Sequence, residues 1–312
     1  MFIPISSFNY NLYLAILVNL LIYIVILLGA PTIILGVLSL FKIKATERKT
    51  IYLYAFSTGM FLMIGSVGFI REAFNRSNMF FHELVGKQKI SESSLPWWMA
   101  LLIGLSAAIG LFVVILGRYI FVRTKKIKFH QNHEAHNHSD HLISFKDFDN
   151  PKAAWMAIIM LMSHRIIDGL YLGYSVFALT LGNTGYRANI PLIVTFNIHI
   201  LLEVIIVYYR QIQYGEKKWK AILYNFLTFL LIIPFMFLGA FLGPQLDKAG
   251  WLLPSLLAMG GSIIVFMSVF ELIPEFIHVR NQKAKVLYTT FAIFAAAIVF
   301  TLILLCFHSH AV

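Results

Sequence analysis

Eight long apolar runs, separated by short polar stretches, take up most of this chain. Lipid offers no hydrogen-bond partner to a backbone N–H or C=O, so runs of such length settle as helices bonded to themselves. The 312 residues are 59% hydrophobic and only 12% charged. A soluble domain of ordinary composition carries about a quarter charged residues. The runs span roughly 12–41, 51–70, 97–121, 153–181, 190–210, 219–243, 252–277 and 287–307. Most match the ~20 residues that cross a bilayer. The expected fold is therefore an all-α polytopic membrane protein with eight transmembrane helices, one transmembrane domain over 1–312. The first run is too long for one straight span and too short for two, and Gly29 and Pro31 are expected to kink or tilt it.

Charge sets the orientation. With the N-terminus outside, the inside loops collect seventeen basic residues, among them Lys42, Lys44, Arg48, Lys49, Arg123, Lys125, Lys126, Lys128, Lys217 and Lys218. The outside loops hold six: Arg71, Arg76, Lys87, Lys89, Arg187 and Lys248. The positive-inside rule favours this arrangement, and eight spans return the C-terminus to the outside. The net charge of +11 is thus accounted for by a cytoplasmic membrane face, with no need of nucleic acid. No Lys or Arg precedes Lys42, so the first run lacks the basic start of a cleaved signal and is expected to remain as a span. The single cysteine, Cys306, excludes an intramolecular disulfide and a thiolate metal cluster.

Two short motifs break the apolar monotony: His164-Arg165-Ile166-Ile167-Asp168-Gly169 and His199-Ile200-Leu201-Leu202-Glu203. Each sets an imidazole and a carboxylate four residues apart, on one helix face and one turn from each other. Ionisable groups in hydrocarbon are costly and mark a site or pathway by default. The bland alternative is polar glue between helices, as isolated polar residues in spans often provide. Four such groups near the centres of consecutive spans favour a metal site, and two nitrogens with two carboxylates suit a divalent transition metal such as zinc. Gly169 and Gly173 beside the first motif permit close backbone approach. Arg165 is expected to form a buried salt bridge to Asp168 or Glu203, since a lone arginine at that depth is very costly.

Further candidates lie on the inner side. Glu271 and Glu275 flank Pro274 at the end of the seventh run, as a pathway ligand and a lining residue of the inner mouth. The loop over 122–152 is polar and carries His130, His133, His136, His138 and His141. Such a tract cannot bury a core, and it suits weak, exchangeable metal binding on the cytoplasmic side. Met60 and Met63 could offer soft ligands, but the eleven methionines are scattered and packing is the better reading.

These residues resemble the ZIP (Zrt-, Irt-like) family of divalent metal transporters. That family has eight spans, both termini outside, and a His-rich inner loop between the third and fourth. Its fourth and fifth spans carry patterns like His-Asn-x-Pro-Glu/Asp-Gly and His-x-x-x-Glu-Gly. His164, Asp168 and Gly169 match the first, and His199 and Glu203 the second. Gly260-Gly261-Ser262 through Glu271-Leu272-Ile273-Pro274-Glu275 resembles the seventh span. The chain departs from the pattern at Ile167 and Leu202, where the family has proline, and at Val204, where it has glycine. Arg165 and Ile200 occupy positions that often serve a second metal. The resemblance implies a divergent member with one metal position, in which the Arg165 guanidinium stands where a second cation would sit. It also implies a homodimer in the plasma membrane.

The expected activity is import of zinc, or of iron or manganese, as cargo rather than cofactor, and not an enzymatic reaction. No Gly-x-x-x-x-Gly-Lys-Ser/Thr motif points to ATP. The rival readings are an intramembrane zinc hydrolase, against which stands the lack of His-Glu-x-x-His, and a metal sensor or paralogue that moves no ion.

Overall fold

The computed structural model describes residues 3–40, 47–124, 164–181, 190–213, 216–273 and 283–306. Their regular secondary structure is entirely helical. In chain order the main helices are α1 (Leu12–Leu40), α2 (Glu47–Met63), α3 (Arg71–Gly86), α4 (Leu95–Thr124), α5 (Arg165–Leu181) and α6 (Ile190–Gln213). They continue as α7 (Lys218–Leu230), α8 (Ile232–Phe241), α9 (Gly243–Ala249), α10 (Leu252–Met267) and α11 (Ala284–Cys306). Among the described residues, six helical stretches are long and apolar enough to cross a membrane, and Ile193–Tyr209 within α6 is a shorter apolar helix. The chain is thus a multi-pass helical membrane protein.

Two spans differ from their expected form. The run expected to end at residue 70 continues: a π-helical stretch, Ile64–Ile70, joins α2 to α3, and helix persists to Gly86. The charges that suggest a span end instead stabilise the extra turns, through i,i+4 pairing of Glu72 with Arg76 and of Glu83 with Lys87. The sixth span is broken at Leu231 into α7 and α8. Pro234 has no N–H to offer the carbonyl four residues back, so the ladder fails there. Pro31 lies inside α1, which is helical on both sides of it.

The helices fall into two bundles. One holds α1, α5, α7 and α8, the other α2, α3, α4, α10 and α11, and α6 packs against both. Small residues bring backbones together inside each. In the first, a Cβ on Gly169 would stand 2.7 Å from the Ile232 carbonyl, and Cβ atoms on Gly173 and Gly239 would run into the backbone of Met236 and Leu170. These glycines lock α5 onto α8, as close packing without a hydrophobic driving force requires in lipid. In the second bundle Gly65 and Gly261 face each other, each added Cβ lying 2.7–2.9 Å from the other's carbonyl oxygen. Gly59 abuts the Phe294 carbonyl, where a Cβ would come to 2.6 Å.

Between the bundles Ile167 of α5 packs onto Gly260 of α10, and aromatic side chains fill the rest. Phe61 and Phe69 from the second reach Tyr171 of the first and His199 and Phe196 of α6. The candidate residues sit on this seam, on the α5 and α6 side of it.

Candidate metal centre

His164 opens α5. Its carbonyl accepts hydrogen bonds of 3.0 Å from the N–H groups of Ile167 and Asp168, which fixes the first turn. That turn carries the Asp168 carboxylate back over the His164 ring, and their Nε2 and Oδ2 atoms lie 3.3 Å apart. On α6, His199 and Glu203 repeat the arrangement at 4.0 Å. The two motifs meet: His164 Nε2 is 3.6 Å from Glu203 Oε2, and the two imidazoles stand edge to face at 5.6 Å.

Arg165 takes one of the two partners the sequence offers it. Its Nη2 lies 3.0 Å from Glu203 Oε1, with each side chain only 1% exposed. The guanidinium carbon also stands 4.5 Å above the centre of the Phe229 ring on α7, a cation–π contact that helps hold the charge in an apolar place. Glu203 is thereby drawn to the arginine. One ligand atom each from His164, Asp168 and His199 comes together, all within 4.8 Å of one another.

All five groups are buried, none more than 1% exposed. Beyond these ion pairs, the ring nitrogens, the carboxylate oxygens and Arg165 Nε and Nη1 make no hydrogen bond. A buried polar atom left so costs about 1–3 kcal/mol. Protein dipoles do not cover them; their neighbours are aromatic, with Phe61 4.1 Å and Phe196 5.3 Å from the His199 ring centre. Imidazole nitrogens and carboxylate oxygens converging with Arg165 as the one cationic partner are the chemistry of a cation site, and such a set suits zinc and its neighbours.

Most of the other sequence candidates lie outside the described residues. Glu271 belongs to a π-helical turn, Ser268–Leu272, that continues α10, and its side chain lies outside the described residues. Glu275 and the loop histidines His130, His133, His136, His138 and His141 also lie outside them. Met60 is fully buried in the apolar core, as the packing reading expects. Sequence reasoning missed the aromatic wall. Phe196 could have been found, lying three residues before His199 and so one turn from it on α6. Phe61 and Phe229 come from other spans and leave no such signal.

Fold and site together define a multi-pass helical membrane protein with a buried His/Asp/His group able to hold a metal ion. A scan against models of known protein families finds no match for the chain, and comparison with curated proteins finds none either.

Proposed function

We propose that this protein carries a divalent transition metal ion, zinc foremost, across the membrane into the cytoplasm. The observation that carries the reading is the convergence of His164, Asp168 and His199 at membrane depth, within 4.8 Å, fully buried and without hydrogen bonds. Helix-gluing polar residues would be expected to satisfy one another; here Arg165 answers Glu203, while His164, Asp168 and His199 are left without hydrogen bonds. The ion is cargo, held by the two imidazoles and Asp168 and approached by Glu203. Arg165 offsets one of the two carboxylates in advance, so a single dication leaves little residual charge in the site. That balance supports one ion, not two.

The six long helical stretches, together with α5 and the apolar part of α6, supply eight segments, which supports the eight-span arrangement. With basic residues inside, both termini lie outside, in a plasma membrane. The resemblance to ZIP transporters points the same way and supplies the homodimer.

The test is metal influx into proteoliposomes, with Zn²⁺, Fe²⁺, Mn²⁺ or Cd²⁺ outside. Wild type is expected to show saturable influx that His164→Ala/Glu203→Ala abolishes. Absence of influx, with metal still bound to purified wild type, refutes transport. Three protein ligands also resemble a hydrolytic zinc site; that result would bring the hydrolase and sensor readings forward.

A further inference from the structure

A second polar chain crosses the seam between the bundles, toward the C-terminal end of α5. Arg76 on α3 donates through Nε to Glu72 Oε1 at 2.7 Å and through Nη1 to the Tyr174 hydroxyl at 3.2 Å. Tyr174 on α5 donates in turn to Asp247 Oδ1 on α9 at 2.7 Å. The guanidinium carbon stands 5.4 Å over the Tyr174 ring. Arg76 and Glu72 belong to one bundle; Tyr174 belongs to the other, and Asp247 follows its last helix.

Between this chain and the metal centre lies an aromatic plug. Phe69 packs 5.3 Å from Tyr171 and 5.6 Å from Phe196, and Tyr171 and Phe196 meet at 6.3 Å. All three are buried. On the far side a cavity of about 720 Å³ opens against Asp247, lined also by Glu83, Lys87, Lys248 and Phe177. Cavity, polar chain, plug and metal centre thus follow one another along the same seam. Partial burial raises the Asp247 carboxyl above its ordinary value, while Tyr174 and Arg76 pull against the rise.

We propose that Arg76, Tyr174 and Asp247 form a latch that shuts the metal centre from the outer cavity, and that opening it is the step that admits the ion. The inference rests on the transport reading and assigns its outer gate. Charge-assisted hydrogen bonds make a good latch. They are strong when aligned, and the Arg76 side chain, 20% exposed, can exchange its partners for water. Across the seam α5 and α10 also pack closely, Ile167 seated against Gly260, so the polar chain is the directional bond among apolar contacts. Parting the bundles needs the Arg76–Tyr174 bond to go first.

The test is thiol accessibility in intact cells, in a Cys306→Ala background carrying Ser175→Cys. Ser175 is 4% exposed and lies one turn from Tyr171, to whose carbonyl it bonds. A membrane-impermeant maleimide added outside is expected to label it slowly. Tyr174→Phe keeps the ring and removes only the hydroxyl; Arg76→Gln removes the charge. Each removes the Arg76–Tyr174 bond and one neighbour of it, and is expected to raise the labelling rate about tenfold or more. Unchanged labelling in Tyr174→Phe and Arg76→Gln overturns the latch. Labelling needs no metal, so it judges the latch separately; zinc influx into proteoliposomes holding the wild type judges the transport reading.

Discussion

Arg165 carries the sharpest consequence at the scale of single residues. A guanidinium buried at membrane depth survives only with its charge answered, and Glu203 answers it at 3.0 Å. Replacing Arg165 leaves Glu203 buried and uncompensated, a defect of about 3–5 kcal/mol in comparable buried pairs. Arg165→Asn is therefore expected to melt several degrees lower than wild type without metal, and to recover in excess Zn²⁺, since the ion can take the place of the lost charge. Equilibrium dialysis is expected to give one tightly held ion per wild-type chain; two would sink the idea that Arg165 occupies the second position. The spacing of His164 to Asp168 and of His199 to Glu203 was legible, because a helix turns a sequence interval into a distance. That Arg165 chooses Glu203 over Asp168 was not, because the choice depends on how α6 sits against α5. The residues Phe61, Phe196 and Phe229 are ordinary letters in apolar runs until three helices bring them around the site.

At the scale of elements, the α5–α8 contact is the tightest in the molecule's first bundle. Gly173 has no room for a side chain against Met236, whereas Gly36 on α1 has nothing within 4 Å of its would-be Cβ. Gly173→Ala is expected to cost about 2 kcal/mol or more by forcing the helices apart, while Gly36→Ala should be neutral or gain up to ~1 kcal/mol through helix propensity. Thermal denaturation in detergent separates the two, and equal melting temperatures would contradict the packing described. Gly169 and Gly173 were readable in advance as places of close approach; their partner was not, since α8 lies sixty residues or so further along the chain. The continuation of α2 through α3 escaped notice for a different reason. Hydropathy reports where lipid ends, not where hydrogen bonding ends, and Glu72 and Arg76 satisfy each other along the helix after the apolar run has stopped. The break at Leu231 follows from Pro234, but a single proline inside a long apolar run does not announce whether it bends or divides a span.

For the whole molecule, the class of fold was plain from the apolar runs, while the division into two bundles was not, because it is set by which small residues face which. The proposed orientation yields a simple check. Cys306 is exposed at the end of α11, and eight spans put that end outside. An impermeant thiol reagent is expected to label it in intact cells; labelling that appears only after permeabilisation would invert the topology and with it the direction of transport.

His164, Asp168 and His199 are closed to solvent, walled by Phe61 and Phe196 and flanked by the Arg165–Glu203 pair. An ion that settles between His164, Asp168 and His199 therefore arrives stripped of its hydration shell. Mg²⁺, a hard cation that dehydrates reluctantly and prefers oxygen, loses more there than two imidazoles return to it. On the proposed reading, the burial of the site would itself be a filter, turning away an abundant ion of the same charge by the water it will not give up.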